Sequence, residues 1–131
     1  MRTILFVCVH NAGRSVMAEA FLNLAAGGRA VAVSAGTVPQ EAPHPEVVDA
    51  MRELGLDVSN HRGRLLTDDL VRSAERVITM GCAVDAEACP AVLYANVEDW
   101  GLDDPKGQDP DTVRRIRDEI RSRVTELLRE L

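Results

Sequence analysis

The sequence lacks any excess of basic residues. Its 21 Asp and Glu outnumber 15 Lys and Arg, for a net charge of −6. That balance argues against a nucleic-acid partner or an anionic membrane surface, since phosphate-rich partners need a basic face. Long apolar runs are missing too. Ile4-Leu5-Phe6-Val7 is far too short to span a bilayer, and no signal peptide is evident, so a cytoplasmic protein with no membrane partner is expected. Cysteine is sparse. Cys8, Cys82 and Cys89 are expected, in a reducing cytoplasm, to be catalytic, redox-active or buried and not a disulfide framework. The aromatic residues are Phe6, Phe21, Tyr94 and Trp100 alone. Lysine is nearly absent, Lys106 being the single one, which reads as coding bias. No metal site is expected: His44 and His61 have no partners at ligand spacing and are assigned structural roles.

What is present suits one domain spanning residues 1–131. Hydrophobic residues make up 46% of the chain, enough for an ordinary core. Residues 3–8 read as a strand buried on both faces. A short polar loop leads to a helix over 15–26, with Val16, Ala20, Phe21 and Leu24 inward and Gly27-Gly28 as its stop. Residues 30–35 read as a second strand. A helix over 45–54 opens at Pro45, turns Val47, Val48, Met51 and Leu54 inward and ends at Gly55. Thr67 caps a short helix through Ala74, with Leu70 and Val71 inward. Residues 76–80 read as a third strand and 91–94 as a fourth. The last helix is capped by Asp109 and opened by Pro110, with a stripe of Val113, Ile116, Ile120, Val124, Leu127 and Leu131. Alternating strands and helices predict an α/β fold: a four-stranded parallel sheet flanked by helices on both faces, joined by right-handed connections.

In such a sheet, ligands bind beyond the carboxyl ends of the strands. Cys8 ends the first strand, so the loop Cys8-Val9-His10-Asn11-Ala12-Gly13-Arg14-Ser15 lies where a ligand is expected. Successive amides converge on an anion, and the following helix N-terminus adds positive character. Ala12 and Gly13 let the backbone approach, with Gly13 free to adopt positive φ. The Arg14 fork grips two oxygens of a tetrahedral oxyanion. The same field favours Cys8 as a thiolate nucleophile, and Ser15 donates to that sulfur or holds the loop. His10 either steers the anion and stabilises the thiolate or faces solvent. A Cys and an Arg with five residues between them is a weak signal alone; strand end, small-residue loop, Ser after Arg and helix start together give it weight.

These residues resemble the phosphate loop of the low-molecular-weight protein tyrosine phosphatase superfamily, and in particular its arsenate reductase branch. The likeness runs nearly end to end: Met17-Ala18-Glu19, Ser34-Ala35-Gly36-Thr37, Asp57-Val58-Ser59-Asn60-His61, Val77-Ile78-Thr79-Met80, Asp99-Trp100 and Asp103-Asp104-Pro105 are each similar to family segments in the same order. The resemblance implies a low-molecular-weight phosphatase-like three-layer sandwich. It implies Cys8 as nucleophile, Arg14 and the amides of residues 9–15 as the oxyanion holder, Asn11 as organiser of the loop backbone, and Asp104 as general acid. Some relatives place a potassium ion on residues matching Asn11, Glu19 and Ser34. Arg64 stands near where those relatives carry an acidic ligand, which speaks against the ion here.

Two features choose between reductase and phosphatase. A phosphotyrosine site needs aromatic walls, whereas no ring lies in the loop and Lys106-Gly107-Gln108 follows Pro105 where compared phosphatases carry tyrosines. Reduction of arsenate needs two electrons, which thiols supply on becoming a disulfide. Cys82 follows the third strand and Cys89 lies seven positions on, so a Cys8/Cys82/Cys89 relay is expected. No cofactor is expected to be bound; an external thiol reductant is required. Three cysteines favour a thioredoxin-like donor, and the loop resembles that of reductases using mycothiol, so both stand. The alternative function is a phosphatase hydrolysing aryl phosphates through a phosphocysteine.

Overall fold

The computed structural model describes residues 2–81 and 97–131. Four strands, β1 (Arg2–Cys8), β2 (Ala30–Gly36), β3 (Arg76–Thr79) and β4 (Val97–Asp99), form one sheet in the order β2-β1-β3-β4, with every pairing parallel. The helices are α1 (Arg14–Ala25), α2 (Pro45–Arg52), α3 (Asp68–Ser73) and α4 (Pro110–Glu130). This is the expected fold class.

Side chains alternate across the central strand. Ile4, Phe6 and Cys8 face the larger cluster, built with Val16, Met17 and Leu22 of α1 and Ile116, Ile120 and Val124 of α4. Leu5 and Val7 face the other way, onto Ala35 and Val77, and are covered by Leu66, Leu70 and Val71 around α3. Both faces are covered, which is why β1 reads as an unbroken apolar run. Alternation thus brings Cys8, paired with Gly36 at the carboxyl end of β1, out on the side from which α1 departs.

The helix ends follow their capping chemistry. Asp109 accepts a hydrogen bond from the Thr112 amide at 3.4 Å, and the Thr67 hydroxyl accepts one from Leu70 at 3.2 Å. Two expected inward residues are not inward. Leu24 is 66% exposed and Leu54 36%. The first turn of α1, Arg14 to Ala18, is buried all round, so its residues give periodicity no phase; Met17, Phe21 and Leu22 carry the inner face. The α2 helix stops at Arg52 and turns, leaving Leu54 outside it. On α4 a charged residue joins the core: Arg117 is buried against α2, donating to the Ala50 carbonyl at 2.9 Å and to Glu53 at 2.8 Å. Trp100 is buried, its ring centroid 5.6 Å from that of Phe6. The strand expected over 91–94 lies outside the described residues. The described fourth strand, Val97-Glu98-Asp99, is a three-residue edge too short and polar to announce itself. No described helix is long and apolar enough to cross a membrane.

Candidate active site

The loop between β1 and α1 is held by its carbonyls. Those of Val9, His10 and Ala12 accept the amides of Val38, Gln40 and His44, each at 2.8 Å, and that of Gly13 accepts Met17 at 3.1 Å. All these partners lie in the chain after β2 or in α1. In a planar trans peptide the carbonyl and the next amide point oppositely. Turning these carbonyls outward therefore turns the amides of His10, Asn11, Gly13 and Arg14 toward the inside of the loop, an arrangement able to take an anion.

The left-handed residue of the loop is Asn11, with φ +48°, not Gly13, whose φ is −140°. This corrects the expectation for Gly13. Asn tolerates that region because its short polar side chain bonds locally. Here Oδ1 of Asn11 accepts the Arg64 amide at 2.9 Å, and Nδ2 donates to the Ser15 hydroxyl at 2.9 Å. The space above Gly13 is tight: a Cβ there would lie 3.2 Å from His44 Cδ2 and 3.3 Å from Pro105 Cγ.

Ser15 Oγ lies 2.7 Å from Cys8 Sγ, and both residues are buried. The Asn11 amide nitrogen only donates, so the Ser15 oxygen accepts from it, and the Ser15 hydroxyl can donate to a thiolate, which only accepts. A Cys8 thiolate is accordingly met by a hydroxyl donor. The chain of bonds continues. His61 Nε2 is 3.1 Å from Asn11 Oδ1, which only accepts, so this nitrogen carries a proton. His61 Nδ1 is 3.5 Å from Glu19 Oε2, which also accepts from Ser34 Oγ at 2.9 Å. His61 and Arg64 already occupy the Asn11 oxygen, and Ser34 and His61 the Glu19 carboxylate. Spacing alone gave no sign of His61, fifty residues from Asn11.

Arg14 is buried, and one of its terminal nitrogens donates to the Leu102 carbonyl at 2.8 Å. That contact passes over Gly81, whose φ is +113°; a Cβ there would stand 2.5 Å from both the Arg14 nitrogen and the Leu102 oxygen. The guanidinium is aimed, then, by the loop after β3 and the segment after β4.

Cys8, His10, Gly13, Arg14, His44 and Asp104 line one small concavity. The sequence reading missed His44 at this rim. With no partners at ligand spacing, it reads in the sequence as structural only. Burial, opposed by Glu46 and Asp104, pulls its imidazole below the ordinary pKa of 6.5. Asp104 is exposed, with one oxygen taking the Lys106 amide at 3.0 Å. Cys82 and Cys89 lie outside the described residues. A larger groove between β3, β4 and α4 is lined by Arg76, Glu98 and Trp100, but its charges are engaged with each other, Arg76 with Glu98 at 3.0 Å and Glu130 at 2.7 Å. No cluster of three metal-ligating side chains occurs among the described residues.

The model of the family described as low molecular weight phosphotyrosine protein phosphatase matches residues 3–131. Arsenate reductase 1 of Staphylococcus epidermidis is 39% identical over 125 residues, covering 94% of this chain and 92% of that protein. Among solved structures, a thioredoxin-dependent arsenate reductase of Corynebacterium glutamicum superposes with a TM-score of 0.80 at 38% identity, over 99% of this chain and 61% of that one. A low molecular weight protein tyrosine phosphatase of T. tengcongensis superposes with a TM-score of 0.85 at 25% identity, each chain covered in full.

Proposed function

The chain belongs to the low molecular weight phosphotyrosine protein phosphatase family, and from that premise we propose that it is a thiol-dependent arsenate reductase. The observation that carries the reading is the Cys8 sulfur in one concavity with Arg14, 2.7 Å from the Ser15 hydroxyl. The arsenate reductase relatives at 38% and 39% identity, against 25% for the phosphatase, support the choice of substrate.

In this reading the loop amides and Arg14 bind arsenate, their charge offsetting both the oxyanion and the thiolate. Cys8 Sγ attacks arsenic(V), and a hydroxide leaves as water on taking a proton from Asp104, giving a Cys8–S–As(V) adduct. Cys82 then attacks the Cys8 sulfur. The S–As bond breaks with its electron pair passing to arsenic, so arsenite leaves as arsenic(III) and a Cys8–Cys82 disulfide forms. Cys89 attacks Cys82 in turn, freeing Cys8 and leaving a Cys82–Cys89 disulfide. An external dithiol of the thioredoxin type reduces it. With mycothiol as donor, Cys8 alone would be needed. The setting is the cytoplasm, where such donors operate.

The phosphatase alternative shares every step up to the adduct. A phosphocysteine formed at Cys8 would be hydrolysed by water, so slow aryl-phosphate turnover accompanies the proposed reductase. The test is steady-state arsenite release with thioredoxin, glutaredoxin and mycothiol systems, set beside aryl-phosphate turnover by the same preparation. Arsenite release with at least one donor is expected. Efficient aryl-phosphate hydrolysis with no arsenite from any donor would overturn the proposal in favour of the phosphatase.

A further inference from the structure

Three elements meet over Gly13. The His44 imidazole stands above it from the start of α2, with Cδ2 3.2 Å from where a Gly13 Cβ would be. Pro105 closes from the segment before α4, with Cγ at 3.3 Å from the same point. His10 stands edge-on to His44, ring centroids 6.5 Å apart. The His44 backbone is tied to the loop itself, its amide bonding the Ala12 carbonyl at 2.8 Å. Its side chain and Pro105 are both buried, on either side of Gly13.

An aryl phosphate differs from a bare oxyanion by one ring on one oxygen, and that ring must pass outward through the mouth. Among the described residues the mouth offers it no flat apolar wall: its lining is two imidazoles, a glycine, a carboxylate and a guanidinium around Cys8. We infer that His44, braced by Pro105 across Gly13, is a specificity-determining residue that narrows the approach to Cys8 to a bare tetrahedral oxyanion and turns aryl esters away. The inference rests on the reductase reading for its biological sense, but its geometry concerns oxyanion against aryl ester at one mouth.

Shortening His44 to Asn opens the mouth and keeps a residue that favours the helix-start position. Pro105→Ala removes the packing beside His44 over Gly13 without touching α2. The measurement is kcat/KM for p-nitrophenyl phosphate multiplied by the inhibition constant of inorganic phosphate, so that a general weakening of anion binding cancels. Removing a steric wall should raise this product about tenfold in His44→Asn, with a smaller rise in the same direction in Pro105→Ala. A packing role alone would lower Tm and leave the product unchanged, and an unchanged or reduced product overturns the inference. If His44→Asn does not fold, Pro105→Ala decides by the same criterion. Wild-type protein that releases no arsenite from any thiol donor defeats the reductase reading and leaves this product informative; an unchanged product defeats the role of His44 and leaves the reductase reading standing.

Discussion

Asn11 and Ser15 are joined side chain to side chain, the Asn11 amide nitrogen donating to the Ser15 hydroxyl at 2.9 Å. Ser15 keeps its hydroxyl hydrogen, and Cys8 Sγ, which only accepts when it is a thiolate, is 2.7 Å away. Ser15→Ala should therefore slow reaction of Cys8 at neutral pH. A hydrogen bond to a charged group is worth about 1.5–3 kcal/mol, so iodoacetamide alkylation at fixed pH should slow about tenfold or more. Equal alkylation rates in the two proteins would show that Ser15 only holds the loop.

Asn11 combines a left-handed backbone with a side chain that bonds at both ends. Asn11→Gly keeps the backbone free to adopt φ +48° and loses the side-chain bonds; Asn11→Ala loses the bonds and meets the steric cost as well, roughly 1–2 kcal/mol. Both should lower kcat/KM about tenfold or more through the lost hydrogen bonds. Only Ala should show the further drop in Tm. A melting comparison that ranks Gly below Ala would contradict this account of the loop.

Cys82→Ser and Cys89→Ser should each abolish thioredoxin-coupled arsenite release and leave aryl-phosphate turnover largely intact, because the later disulfide steps need both sulfurs and phosphocysteine hydrolysis needs neither. Cys8→Ser should abolish both activities. Wild-type arsenite release by the Cys82 and Cys89 variants with thioredoxin would remove the relay.

Glu53 gives a pH test of the α2–α4 contact. Hydrogen bonds from Arg114 and then Arg117 hold its carboxyl at about 2, against an ordinary 4.5. A carboxyl lowered on folding stabilises the fold above its unfolded value, and that contribution fades as pH falls toward the folded value. Wild type should thus melt above Glu53→Gln at neutral pH, with the gap closing between pH 4.5 and about 2. Thermal melts across that range check it; a gap constant with pH would mean that the carboxylate charge contributes nothing.

Wherever burial and polarity alternate along the chain, the sequence was enough to place the elements. On α4, Val113, Ile116, Ile120, Val124 and Leu127 are all buried as their spacing implies, and Asp109 caps as its residue type implies. The anion loop was legible because a strand end, small residues and an arginine coincide within eight positions. Legibility failed where position depends on distant chain. Which loop residue would be left-handed was settled by Arg64 and His61 bonding to Asn11 from 53 and 50 residues away. His44 reached the rim through its amide bond to Ala12, a contact with no pattern in one dimension. Arg117 interrupts an apolar stripe with a buried charge because α2 offers it a carbonyl and a carboxylate.

At Gly81 a missing side chain makes room for another residue's function. Arg14 and the Leu102 carbonyl meet in the volume that any larger residue at 81 would fill. Drift at this position has nowhere to go, although residue 81 is remote in sequence from the anion loop. A methyl group gained at 81 would press the Arg14 guanidinium away from the Leu102 carbonyl without altering the arginine itself.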